Sequence, residues 1–223
     1  MSRSQLVYRV VAPEQQPERT TMIPLHGYNG SREDLIPLAR SLGPEVRIVA
    51  PEALNGVFRG RISTGHMWYR LEELGHLEPS SLGDSLWQLE QFIYDRLDDR
   101  QGAAWPPFLL GYDQGAVMAL TLSLVIPDYL AGVVAIRGFL PDVQSWPIEV
   151  LEMDNLPVLL MRDPADSGFP GSFTDEAARQ LSAHGAQVSA QEVPGAHALG
   201  RSVGHVLQSW LHSHGALDGK AQR

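Results

Sequence analysis

Asp113, Asp166 and His197 are the residues whose types and order could do chemistry. Asp113 is the centre of Gly-Tyr-Asp-Gln-Gly, a turn with glycines at 111 and 115. Asp166 follows in "MRDPADSG", and His197 comes later in "VPGAHALG". A nucleophile on a sharp turn, then a carboxylate, then a histidine is an order that supports covalent catalysis with a histidine base. An aspartate in first place changes that chemistry. Histidine activates a serine by removing its hydroxyl proton, and an aspartate has no such proton. Attack of a carboxylate on an ordinary ester would give a high-energy anhydride. A carboxylate can instead displace a leaving group from saturated carbon or open an epoxide. The resulting alkyl ester would then be hydrolysed by water activated by His197 and its orienting acid, Asp166.

These residues need a scaffold that brings distant loops together. Apolar runs at Leu6–Val11, Thr21–Leu25, Val46–Ala50, Phe108–Leu110, Val133–Ile136, Val158–Met161 and Gln187–Val193 read as strands. Several are continuous and bounded by Gly or Pro, the pattern of strands buried on both faces. Helical spacing separates them. Leu82, Leu86, Leu89, Ile93 and Leu97 share one face, with Ser80 or Ser81 as cap. Leu35, Leu38 and Leu42 mark a shorter helix, and Val203, Val206, Leu207, Trp210 and Leu211 the last one. Such alternation predicts an α/β fold with a mostly parallel central sheet flanked by helices. Ligands of such sheets bind beyond the carboxyl ends of the strands. Asp113, Asp166 and His197 each follow a strand end. So does "LHGYNGS", with Ser31 as a helix cap, where the Tyr28 backbone amide and that of Gln114 would form an oxyanion hole. Residues 1–214 read as one domain and 215–223 as a frayed tail. Thr64–Pro79 is loop-like, and Gly138–Leu156 is too short and polar for a large cap domain.

The pieces "LHGYNGSREDLIPLA", "RIVAPEAL", "GHMWY", "LLGYDQGAVMAL", "YLAGVVAIRGFLP" and "VPGAHALG" occur in this order over nearly the whole chain. In them the chain resembles the carboxylesterase, phospholipase and acyl-protein thioesterase branch of the α/β-hydrolase superfamily. The resemblance implies a lid-poor hydrolase with a Ser–His–Asp triad acting on esters or thioesters. Three positions depart from it: Asp113 stands where the serine is expected, Arg137-Gly138 where a serine and glycine usually end a strand, and Arg162-Asp163 where a His-Gly pair often precedes the acid. Haloalkane dehalogenases and epoxide hydrolases of the same superfamily use an aspartate elbow, and the resemblance to them is confined to that elbow. A small electrophile of the epoxide or alkyl halide type is therefore the expected substrate. Trp68 and Tyr69 are candidate donors to its leaving group. Arg137 and Arg162 could clamp an anionic group or merely neutralise Asp113, Asp163 or Asp166. Alternatively, Asp113 folds back on the oxyanion amides or pairs with a neighbour and the site is a silent binding pocket, or the aspartate replaces a serine.

Composition narrows the partners. The 223 residues carry a formal net charge of −9, and no Lys/Arg cluster suggests nucleic acid. There is no cysteine, which removes thiolate metal sites and a cysteine nucleophile. His212 and His214 form a His-x-His without nearby carboxylates, read as a solvated helix end. No metal or organic cofactor is expected. His26 reads as a structural residue that hydrogen-bonds loop backbone. The N-terminus shows no signal peptide and no apolar run spans a bilayer, so a cytoplasmic protein without membrane insertion is expected. A homodimer is left open.

Overall fold

Leu109 and Leu110, Val133 and Val134, and Leu159 and Leu160 are adjacent apolar residues, and all six are buried. Neighbouring side chains on a strand point to opposite faces, so each pair requires cover on both sides of its sheet. The fold supplies it. The computed structural model describes residues 4–14, 20–73, 76–98, 106–142 and 149–217. In chain order its elements are β1 (Tyr8–Val11), β2 (Thr20–Leu25), α1 (Ile36–Arg40), β3 (Val46–Pro51), β4 (Asn55–Arg59), β5 (Ile62–Met67), β6 (Leu71–Glu73), β7 (His76–Leu77), α2 (Pro79–Asp98), β8 (Phe108–Tyr112), α3 (Gln114–Val125), β9 (Gly132–Ile136), β10 (Pro157–Arg162), α4 (Gly171–Ala183), β11 (Gln187–Glu192) and α5 (Arg201–Ser213).

Seven strands form one sheet in the order β1-β3-β2-β8-β9-β10-β11. Only β1 runs antiparallel to its neighbour, and the other pairings are parallel. One core lies between the sheet and α2, α3 and α4, joining Leu109, Val133 and Leu160 to Leu82, Leu89 and Leu181. The second lies under α1 and α5, joining Leu110, Val134 and Leu159 to Ile36, Leu207 and Leu211. The seven strands expected from the apolar runs are these seven, with small shifts at their ends. No helix among the described residues is long and apolar enough to cross a membrane.

Three local expectations differ. The stretch Thr64–Pro79 is not loop-like. Thr64 to Met67 belong to β5, which pairs with β4, and β6 pairs with β7. These ladders are short and their strands partly exposed, so no clear apolar alternation marks them. Glu78, rather than Ser80 or Ser81, precedes α2, and its carboxylate accepts from the Ser81 amide at 3.0 Å. The chain stays packed past 214. Ala216 and Leu217 are buried, and the Thr20 hydroxyl donates to the Ala216 carbonyl. Residues 218–223 lie outside the described residues.

The turn from β8 into α3 depends on two glycines. A Cβ on Gly115 would lie 2.0 Å from the Leu25 carbonyl oxygen, at the end of β2. One on Gly111 would lie 2.3 Å from the carbonyl oxygen of Gly115. Both obstacles are backbone and cannot swing aside. Gly115→Ala should therefore force α3 away from β2, at a cost on the order of 2 kcal/mol or more. Urea unfolding followed by circular dichroism measures it, and a stability equal to wild type would contradict this packing.

Candidate active site

The elbow presents Asp113 in a conformation that few side chains adopt. Its φ is 52° and its ψ −117°, strain typically worth ~1–3 kcal/mol. Backbone bonds on both sides hold it there. Asp113 N–H donates to the Ile136 carbonyl at 3.0 Å, and the Asp113 carbonyl accepts from the amides of Ala116 and Val117. The carboxylate is split between two partners. Oδ2 accepts from the Tyr28 amide at 3.0 Å, and Oδ1 from Arg137 Nη1 at 2.8 Å. Gln114 opens α3, where a backbone N–H has no partner within the helix. Its side chain is buried and locks the neighbouring wall, accepting from the Trp68 amide at 2.9 Å and donating to the Tyr69 carbonyl at 2.8 Å.

Arg137 reaches Asp113 because of strand register. Tyr112 of β8 pairs with Ile136 of β9, so the next residue on each strand leaves the sheet side by side. Arg137 also has a positive φ, 59°. Its Nε donates to Asp166 Oδ2 at 2.6 Å, so one guanidinium bridges Asp113 and Asp166. Burial alone would lower the Arg137 pKa. The Asp166 hydrogen bond and the charges of Asp113 and Asp166 outweigh burial and raise it, so the group stays a cation. The guanidinium also lies 5.5 Å from the Phe169 ring centre.

The carboxylate on His197 is Asp163, not the expected Asp166. His197 Nδ1 lies 2.5 Å from Asp163 Oδ2. Asp163 is the first residue after β10, and His197 sits in the loop after β11, the strand paired with β10. Asp166 is farther along the same loop and is committed to Arg137. The Asp163 side chain is 1% exposed, against 52% for His197. The Ala165 amide first, and His197 second, hold the Asp163 carboxyl below the usual carboxylate range. With Nδ1 on Asp163, Nε2 of His197 is the nitrogen left to act on water. The Tyr112 hydroxyl donates to the His197 carbonyl at 2.6 Å and ties this loop to the elbow. His197 makes no hydrogen bond to Asp113, whose carboxylate is held by Tyr28 and Arg137.

A cavity of about 460 Å³ opens beside Asp113 and Arg137. Its apolar wall includes Met67, Leu71, Val117, Phe139 and Phe169. Tyr69 also lines it, and burial, followed by the Asp113 charge, pushes the Tyr69 pKa far up. The phenol is therefore neutral and able to donate. Trp68, the other expected donor, is fully buried, and its indole N–H is spent on the His26 carbonyl at 2.8 Å. Arg162 is also elsewhere. It bonds the Gly171 carbonyl, Asp175 and Glu192 and does not line the cavity. His26 is structural, as its position before the turn suggests. Its Nδ1–H donates to the Gly27 carbonyl and Nε2 accepts from the Ala53 amide, while burial lowers its pKa and keeps it neutral. Of the His-x-His pair, His212 Nδ1 bonds the Gln208 carbonyl and His214 Nδ1 the Trp210 carbonyl. Among the described residues, no group of three or more His, Cys, Asp or Glu could hold a metal ion.

A family model described as Phospholipase/Carboxylesterase matches residues 6–214. MhqD of Bacillus subtilis (strain 168), named as a hydrolase, is 27% identical over 189 residues, covering 83% of this chain and 89% of that protein. The solved carboxylesterase of Bacillus cereus gives a TM-score of 0.78 at 17% identity, covering 94% of this chain and 95% of its own. A carboxylesterase structure from Mesorhizobium loti gives 0.78 at 23% identity, covering 95% and 99%. At these identities the two structures share the fold.

The depressed Asp163 carboxyl makes stability depend on pH. It contributes above the range in which the unfolded carboxyl titrates, and the contribution is lost as pH falls through its lower folded value. The stability advantage of wild type over Asp163→Asn should therefore be full near neutrality and shrink between about pH 5 and about pH 2. Urea unfolding of both proteins across that range measures the difference. An advantage that grows towards acid would contradict the pairing.

Proposed function

Because the chain belongs to the phospholipase/carboxylesterase family of hydrolases, we propose that it is a hydrolase that works through a covalent ester of Asp113. The observation that carries this reading is the Tyr28 amide on Asp113 Oδ2 at 3.0 Å. On this reading that oxygen becomes the ester carbonyl oxygen, and the amide supports the negative charge it develops under attack. The other oxygen, Oδ1, is then the one that attacks.

In the first step Oδ1 forms a bond to a saturated carbon of a small electrophile, an alkyl halide or an epoxide. The bond from carbon to the leaving group breaks, and the electron pair departs with the halide or epoxide oxygen. The Tyr69 hydroxyl donates a hydrogen bond to it; an opened epoxide oxygen stays on the substrate and takes a proton from solvent, which the second proton of the attacking water replaces when the Asp113 carboxylate is re-formed. In the second step water attacks Cγ of the ester while His197 Nε2 takes its proton. Asp163, rather than Asp166, orients the histidine. Charge collects on Oδ2, facing the amides of Tyr28 and Gln114. The Cγ–Oδ1 bond breaks, and the product leaves as an alcohol that carries Oδ1 and the proton from His197. The apolar cavity beside Asp113 fits a small, largely apolar substrate.

One observation favours a second reading, a silent pocket that binds without turnover. Arg137 Nη1 lies on Oδ1, the attacking oxygen, and a cation there weakens a nucleophile. Intact mass of His197→Ala protein separates the two. After incubation with styrene oxide or 1-bromohexane, the covalent reading predicts an adduct on Asp113 that Asp113→Asn abolishes. Absence of adduct with both probes would favour the silent pocket.

A further inference from the structure

We propose that Arg137 is a further catalytic residue, whose guanidinium stabilises the departing Oδ1 when the Asp113 ester is hydrolysed. This role rests on the covalent reading above. The two oxygens of Asp113 have different fates in that cycle. Oδ2 remains on the protein and faces the Tyr28 amide. Oδ1 carries the substrate carbon and must leave Cγ as an alkoxide-like oxygen, a far more basic group than a carboxylate. The Tyr28 amide, on Oδ2, does not address that second charge.

Arg137 does. Its Nη1 is 2.8 Å from Oδ1 before any chemistry begins. A carboxylate oxygen has two lone-pair positions, so Oδ1 can bond carbon and still accept from Nη1. Arg137 is fixed at both ends: its backbone amide donates to the Met161 carbonyl at 3.0 Å, while Asp166 grips the guanidinium Nε at 2.6 Å and the Phe169 ring centre lies 5.5 Å from the guanidinium carbon. A donor fixed in place before charge develops is the arrangement that lowers a barrier. The guanidinium does not give up a proton. In the hydrolysis step the Cγ–Oδ1 electron pair goes to Oδ1, Arg137 supports it through the hydrogen bond, and the proton of the product alcohol comes from His197. The same cation makes Oδ1 a weaker nucleophile in the first step. Arg137 thus slows formation of the ester and speeds its breakdown.

The test is quenched intact-mass kinetics on Arg137→Gln with His197 in place, using styrene oxide and 1-bromohexane as probes. Ester hydrolysis should fall about a hundredfold, the scale of losing one donor to a developing charge, with ester formation no slower than in wild type. The adduct should then accumulate at steady state in Arg137→Gln and not in wild type. Arg137→Lys keeps a cation near Oδ1 and should recover part of the hydrolysis rate; it also serves if Arg137→Gln does not fold. If His197→Ala traps the adduct but Arg137→Gln and Arg137→Lys turn over without accumulating it, the role of Arg137 is overturned and the Asp113 chemistry stands. If His197→Ala traps no adduct, the Asp113 chemistry fails and this role falls with it.

Discussion

The close approach of α3 to the end of β2 is the constraint from which the site follows. Gly115 sits against the carbonyl of Leu25 with no room for a side-chain carbon. That proximity forces the chain between β8 and α3 into a tight turn, and the turn drives Asp113 to a positive φ. It also brings the Tyr28 amide within hydrogen-bond reach of the Asp113 carboxylate. Burial on both faces of the sheet pays for this strain, because β8 up to Gly111 and α3 from Gln114 onward are buried between the two cores.

Charge is sorted just as firmly. Three carboxylates and two basic side chains share the mouth of the sheet, and they divide into two sets. Asp163 takes His197, and Asp113 and Asp166 share Arg137. The partly buried guanidinium has a carboxylate on each side, so removing either partner would leave the other contact under greater demand. The division also leaves His197 with one acidic partner on Nδ1 and half of its side chain exposed, so Nε2 remains accessible to water. The two sets meet through the Tyr112 hydroxyl, which joins the elbow strand to the histidine loop.

Much of this was legible in the residues. Continuous apolar runs mark strands that need cover on both faces, and the sheet has that form. The glycine pair marked the elbow, and the loop after the last sheet strand marked His197. The carboxylate that pairs with His197 was misread because "MRDPADSG" offers two carboxylates three residues apart, and spacing does not say which one turns towards the histidine. Register does: Asp163 leaves β10 next to the strand that leads to His197. Trp68 was misread because an aromatic in an irregular stretch gives no sign of which way it faces, and here Gln114 and His26 hold it inward. Arg137 and Arg162 look alike in sequence, yet only Arg137 lies beside the elbow strand in register. The cavity wall from Phe139 and Phe169 carried no periodic signal because both lie in connections.

A covalent ester of Asp113 requires that one oxygen of Asp113 leave with the product. A single turnover in water enriched in oxygen-18, with enzyme in excess over styrene oxide or 1-bromohexane, tests it most directly. Hydrolysis through the Asp113 ester should give an alcohol or diol whose new oxygen is unlabelled and an Asp113-containing peptide that gains one heavy oxygen. Heavy oxygen in the product and none in that peptide would contradict it.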